Sequence, residues 1–226
     1  MYYLHTRGVM CYSMALYSLG DLMRFSVIMP AHNAAPYIRK MLDSIRMQTF
    51  TDYELIIVCD ACTDNTAEIA REYTDRVIEV NNVNAGLTRN VGLEAAQGEY
   101  LLFADDDDWW LHEFAFEMIH EALTDEDMLC FGFIWKGVGY AHPLRPGRML
   151  WPAVWNKCWK RSAIGHTRFP DAYPDDLLFH NQMMTDHPDL KIRIYDTPLY
   201  YYNYMRPGSI NDKAVAEGIE RDMRRR

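Results

Sequence analysis

Glu99-Tyr-Leu-Leu-Phe-Ala-Asp-Asp-Asp-Asp-Trp109 joins a short apolar run to four consecutive aspartates. Such a run has the length and continuity of a strand covered on both faces, the habit of parallel sheets. Upstream the same grammar repeats. Phe25-Ser-Val-Ile-Met29 reads as a first strand stopped by Pro30. Residues 35–47 then set Ile38, Met41, Leu42 and Ile45 on one helical face, with Pro36 suited to the first turn. Glu54-Leu-Ile-Ile-Val58 is a second strand, and Thr63-Asp64-Asn65-Thr66 offers capping oxygens for a helix to about Tyr73. Arg76–Val80 is a third strand, and a helix over Thr88–Gln97 ends at Gly98 before the quoted run. Alternating strands and helices predict an α/β fold, a mostly parallel, doubly wound sheet with helices on both faces.

The 226 residues suit one domain with its own core. With 49% hydrophobic and 24% charged residues, wholesale disorder is excluded. A net charge of −9 excludes a nucleic-acid partner, which needs a basic face. Five scattered cysteines imply no disulfide framework and suit a reducing cytoplasm. Cys59-Asp60-Ala61-Cys62 has C-x-x-C spacing, yet a lone pair is half a zinc site. It also follows a second strand rather than opening a thioredoxin-like unit. Ahead of the first strand, Val9–Leu19 is apolar but too short to span a bilayer. Residues 1–22 therefore read as an over-extended start or an added amino-terminal helix.

Doubly wound sheets bind ligands at the carboxyl ends of their strands. Here those ends carry Ala31-His32-Asn33, Cys59-Asp60-Ala61, Asn84–Asn90 and Asp105–Asp108. Neither a dinucleotide G-x-G-x-x-G nor a P-loop is present. Four adjacent carboxylates repel one another, and Mn²⁺ or Mg²⁺ would relieve that repulsion while meeting a diphosphate. The competing explanation is a solvated turn capping a helix over Trp110–Leu123.

Several segments together resemble the family 2 glycosyltransferases. They are Ser26–Asn33, Asp43–Phe50, Cys59–Thr66, Thr88–Gly92, Asp105–Trp109, Trp155-Asn-Lys157, Pro174–Phe179 and Tyr200–Ile210. The resemblance implies a GT-A fold with a Rossmann-like nucleotide-binding half. It also implies inverting transfer of a sugar from a nucleotide-diphosphate sugar, a UDP-sugar by the usual pattern, with Mn²⁺ or Mg²⁺. Carried over position by position, Pro30, His32 and Asn33 border the donor, and His32 stands where an aromatic usually lies beside the base. Asp60 matches the carboxylate that accepts from the base. Cys59 and Cys62 replace an aspartate and a serine, so the C-x-x-C spacing is a coincidence of substitution. Arg89 matches a basic residue near the donor. Asp105 matches the carboxylate that faces the ribose or sugar, Asp106 stands in the donor site where serine is common, Asp107 matches the metal ligand, and Asp108 supports it. Trp109 reads as a core wedge.

Asp176, supported by Asp175, matches the general base that an inverting transfer requires. Lys157 and Arg206 resemble residues near the diphosphate or a closing loop. The resemblance divides the chain into a 1–22 extension, a domain over 23–215 and a basic tail at 216–226. Within the domain, 23–108 would hold the nucleotide-sugar and 109–215 the acceptor and base. The short stretch between Trp110 and Trp155 predicts an acceptor groove that is shallow or completed by a second copy, as a homo-oligomer. The arginines of Arg221–Arg226 are a frayed end or a peripheral contact with anionic lipid at the inner face of the membrane. The acceptor expected is a glycan or lipid-linked hydroxyl in polysaccharide or cell-envelope synthesis. Two rivals are a non-catalytic nucleotide-sugar-binding protein and a sugar nucleotidyltransferase. The apparent base argues against the first. The second would want a glycine-rich, basic loop where Pro30-Ala-His-Asn33 stands.

Overall fold

The computed structural model describes residues 23–145, 149–204 and 209. The 1–22 extension, Arg206 and the 216–226 tail lie outside the described residues. In chain order the elements begin with β1 (Phe25–Ala31), α1 (Ile38–Arg46), β2 (Tyr53–Asp60), α2 (Thr66–Arg71), β3 (Val77–Val80) and α3 (Ala85–Ala95). Next come β4 (Tyr100–Phe103), β5 (Trp109–Trp110), α4 (Ala115–Ala122), β6 (Met128–Trp135) and β7 (Gly139–Ala141). The chain continues with β8 (Leu144–Arg145), β9 (Met149–Leu150), β10 (Lys157–Lys160), α5 (Arg161–Ile164), α6 (Asp175–Asp186) and β11 (Ile192–Tyr202).

One sheet runs β3-β2-β1-β4-β10-β6-β11-β5, with β7 on the side of β6, and β8 and β9 form a separate ribbon. The first four strands are parallel. β10 enters antiparallel between β4 and β6, β11 runs parallel to β6, and β5 lies antiparallel on β11. Alternate residues of each strand feed opposite faces. Val27, Met29, Leu55, Ile57 and Leu102 pack with Met41, Leu42 and Ile45 of α1 and Phe116 and Ile119 of α4. Ile28, Ile56, Val58, Leu101 and Phe103 pack with Leu93 of α3 and Phe179 and Met183 of α6. Helices therefore cover both faces, as the apolar runs predict. No helix among the described residues is long and apolar enough to cross a membrane.

Four local expectations are corrected. Pro30 does not stop β1: pairing with β4 ends at Ile28, and the strand continues beside β2 to Ala31. Having lost one neighbour, that stretch tolerates a residue without an N–H. α3 starts three residues early because the Asn84 side chain accepts from Leu87 N at 2.9 Å and caps it. Trp109-Trp110 is a strand rather than part of a helix, paired with Tyr201 and Tyr200. Trp110, 2% exposed, is the core wedge. Trp109 instead lies half-buried, stacked on Tyr201 at 3.8 Å with Lys40 Nζ over its ring.

Candidate active site

Three parallel strands end side by side, and their loops interlock. The His32 Nδ1–H donates to the Asp60 carbonyl at 2.6 Å, which fixes the tautomer and leaves Nε2 to accept from Asn33 Nδ2 at 3.2 Å. Asn33 holds a left-handed φ of 48° and accepts the Thr63 backbone N–H at 2.8 Å. His32 N in turn donates to Asp106 Oδ2 at 3.2 Å, tying the β1 loop to the acidic run.

Asp60 is 4% exposed, and each of its oxygens takes two donors. Oδ1 accepts from the N–H groups of Asn82 and Val83, at 2.7 and 2.9 Å. Oδ2 accepts from Asn84 N at 3.0 Å and from the Thr88 hydroxyl at 2.7 Å. Burial pushes this carboxyl up, but the four hydrogen bonds outweigh it and hold it below the usual range. Here Asp60 shapes the 82–84 loop.

Arg89 of α3 is 7% exposed and links two distant segments. Its Nη2 donates to Asp105 Oδ1 at 2.8 Å, at the end of β4. Its Nη1 donates to Asp175 Oδ2 at 2.5 Å, at the start of α6. The helices meet closely because of Gly86, where an added Cβ would come within 2.9 Å of the Pro170 carbonyl and 3.0 Å of Asp175 Cβ. Asn84 adds a contact to Asp171 Oδ1 at 2.8 Å. Below them, Phe169 stacks on Phe179 at 4.0 Å, and Phe179 meets Trp159 edge-on at 5.7 Å, anchoring α6 to the sheet.

The acidic run is not uniform. Burial pushes Asp105 up, with Arg89 opposing. Asp106 and Asp107 are half-buried. Asp108 is fully buried and accepts the Asn203 N–H at 2.7 Å; burial first, then Asp107 and Asp105, push it well up. Asn203 Nδ2 also donates to the Asp107 carbonyl at 3.1 Å, and the Tyr200 hydroxyl accepts from Asp105 N at 3.0 Å. These β11-side contacts come from residues to which the sequence assigned no role in the site, because strand pairing alone brings them there.

Asp176 stands beside this group, its Oδ1 accepting the Leu177 N–H at 2.8 Å. Burial pushes its carboxyl up to about 6; Arg89 opposes, while Asp175 and Asp105 add to the rise. Lys157 is fully buried. Its ammonium donates to the carbonyls of Trp151, at 2.5 Å, and Ala153, and to Asn156 Oδ1 at 3.0 Å. Burial lowers it to about 8. Its donors hold the 151–156 loop. Thus β1, β2, β4, α3 and α6 bring His32, Asp60, Arg89, the acidic run, Asp175 and Asp176 to one end of the sheet.

A mostly parallel sheet with helices on both faces, and an acidic run and a buried arginine at its strand ends, is an α/β fold of the GT-A class. The model of glycosyl transferase family 2 matches residues 26–177, and the chain belongs to that family. The chain is 41% identical over 91 residues to Glycosyltransferase GlyA of Streptococcus pneumoniae serotype 4, covering 38% of this chain and 13% of GlyA. Over 96 residues it is 38% identical to Poly(ribitol-phosphate) beta-N-acetylglucosaminyltransferase TarS of Staphylococcus aureus, covering 39% of this chain and 17% of TarS. The crystal structure of S. aureus TarS 1-349 in complex with UDP-GlcNAc superposes with a TM-score of 0.72 at 25% identity, covering 85% of this chain and 61% of that one. Mannosyltransferase PcManGT from Pyrobaculum calidifontis, in complex with GDP-Man and Mn²⁺, shares the fold at a TM-score of 0.64 and 19% identity, over 84% of this chain and 59% of that one. The chain thus spans less than two thirds of the length of these relatives.

Proposed function

We propose that this chain carries an inverting sugar transfer from a nucleoside diphosphate sugar, a UDP-sugar, to a hydroxyl of a glycan or lipid-linked acceptor. One observation carries the reading: Arg89 holds Asp105 of the acidic run and Asp175, beside Asp176, on one guanidinium. A donor-side carboxylate and a base-side carboxylate are thereby set around one space. Family membership and the UDP-GlcNAc bound to TarS support the donor class.

In this reading residues 23–108 hold the donor. His32 and the 82–84 loop kept by Asp60 flank the base, with Pro30 and Asn33 shaping the entrance. Asp105 and Asp106 face the ribose and sugar. Asp176 removes the proton of the acceptor hydroxyl as its oxygen bonds to the anomeric carbon and the bond to the diphosphate breaks on the opposite face. A group titrating near 6 is ionised at neutral pH yet basic enough for this task. Asp175 is engaged by Arg89, which leaves the proton to Asp176.

The donor set fits a hard divalent cation. Asp107 is a half-buried carboxylate at the strand end. Among the described residues no three His, Cys, Asp or Glu side chains converge, so diphosphate and water would supply most ligands, as Mg²⁺ commonly arranges. Asp107 would hold Mn²⁺ or Mg²⁺, which would supply positive charge toward the diphosphate. A lipid-linked acceptor would place the reaction at the inner membrane face.

Thermal melting with UDP tests the donor site. UDP with Mn²⁺ is expected to raise Tm by several degrees, and UDP alone by much less. No shift with UDP under either condition would remove the support for a UDP-sugar donor.

A further inference from the structure

The Cys59-Asp60-Ala61-Cys62 segment has no task in the transfer just described, yet its turn gathers two thiols at the donor loop. β2 carries Cys59 into the core, where it is 1% exposed. Ala61 then turns the chain through a left-handed φ of 48°. Cys62 folds back across the strand end: its thiol reaches the Ala31 carbonyl at 3.5 Å, and it packs half-buried against the cluster that contains Cys59. The neighbouring Cys59 thiol brings the Cys62 thiol down to about 6; burial and Asp64 oppose, while the Asn33 backbone N–H and His32 help. Cys59 itself is pushed up by the neighbouring Cys62, by burial and by Glu79, with Arg71 opposing. The other described cysteines differ. Cys130 and Cys158 are fully buried, and burial raises both, Cys130 to about 11. A thiol that solvent can reach, with a second thiol three residues before it on the same core cluster, is therefore found in one place among the described residues.

We propose that Cys59 and Cys62 form a modification site that hydrogen peroxide oxidises to a disulfide, weakening nucleotide binding. The Cys62 thiolate attacks a peroxide oxygen, the O–O bond breaks, and Cys62 becomes a sulfenic acid as hydroxide leaves. The Cys59 sulfur then attacks Cys62, the S–O bond breaks, and the Cys59 proton leaves with that oxygen as water. In sum, two thiols lose two electrons and one peroxide is reduced to two waters. The bridge takes the Cys62 donor from Ala31 and re-sets the turn containing Asp60. The Asp60 carbonyl holds His32, and its carboxylate holds the 82–84 loop, so both walls of the donor pocket move together. The effect on nucleotide rests on the proposed donor site; the disulfide does not.

The full chain, treated with a few equivalents of hydrogen peroxide and digested without reductant, should yield a Met47–Arg71 peptide lighter by two hydrogens and closed to alkylation. Mapping by peptide keeps Cys11 separate. UDP affinity with Mn²⁺ should fall about tenfold and return with dithiothreitol. Cys62→Ser, which restores the family's usual residue, should bind UDP as the parent does and ignore peroxide. An open dithiol, or sulfinic acid on Cys62 in place of the bridge, overturns the site. A closed bridge with unchanged UDP affinity overturns the switch. Reduced protein that binds no UDP defeats the donor reading instead, while the peptide masses still judge the disulfide.

Discussion

The two ends of the sheet hold functional groups in opposite ways. On the β1–β4 side, polar side chains are fixed by hydrogen bonds to loop backbone: Asp60 on residues 82–84, Asn33 on Thr63, Asn84 on its own helix. On the β6–β11 side, aromatic packing does the holding. Trp155 stacks on Tyr200 at 5.1 Å, and Trp110 meets Tyr200 edge-on at 5.2 Å, placing the tyrosine hydroxyl under Asp105. Hydrogen bonds set direction to within tenths of an ångström, which suits a base and a diphosphate. Packed rings set the depth of a wall, which suits an acceptor groove. Arg89 is where the two systems meet.

Breaking that junction should have the largest effect. Arg89→Met leaves the half-buried Asp105 and Asp175 without their cation, and removing one member of a buried charge group costs up to about 3–5 kcal/mol. Denaturant unfolding at neutral pH should show the loss. A variant as stable as the parent at neutral pH would mean that Arg89 does not join the halves.

Next comes the contact that lets α3 and α6 approach. Gly86→Ala pushes a methyl toward the Pro170 carbonyl and Asp175 Cβ, and overpacking of this kind costs about 1–3 kcal/mol. Transfer should fall more than UDP binding, because Asp60 and His32 are untouched. Equal losses in both would blur the division between the two sides.

The smallest effect concerns Asp176. Its folded carboxyl titrates near 6, above its unfolded range, so the folded protein binds the extra proton between those values and stability falls as pH rises through that window. Asp176→Asn should therefore melt slightly higher than the parent near pH 7.5, with the gap closing toward pH 4. A variant that melts lower at neutral pH would show that the ionised group stabilises the fold.

Much of the β1–β4 side is legible because it is local. Apolar runs give the strands, and the polar residues immediately after them give the candidate site. The missed helix start follows from the same locality, since Asn84 caps a turn that Gly86 makes look like loop. Trp109-Trp110 failed for a different reason. Its strand character depends on Tyr200-Tyr201, some ninety residues on, and no local pattern marks that pairing. The roles of Tyr200 and Asn203 beneath the aspartates were hidden in the same way. Lys157 read as a cation near phosphate, and its three oxygen partners all come from Trp151–Asn156, which no periodicity places around it.

Turnover and binding measured on the same Asp176→Asn preparation test the central claim most directly. A UDP-sugar with Mn²⁺ and a hydroxyl acceptor should give the parent enzyme a rate that falls as pH drops through about 6. The variant should bind UDP with the parent's affinity and lose transfer by about 10²–10⁴-fold. Transfer retained at the parent's rate, with binding intact, would contradict Asp176 as the base and with it the joining of donor and acceptor sides through Arg89.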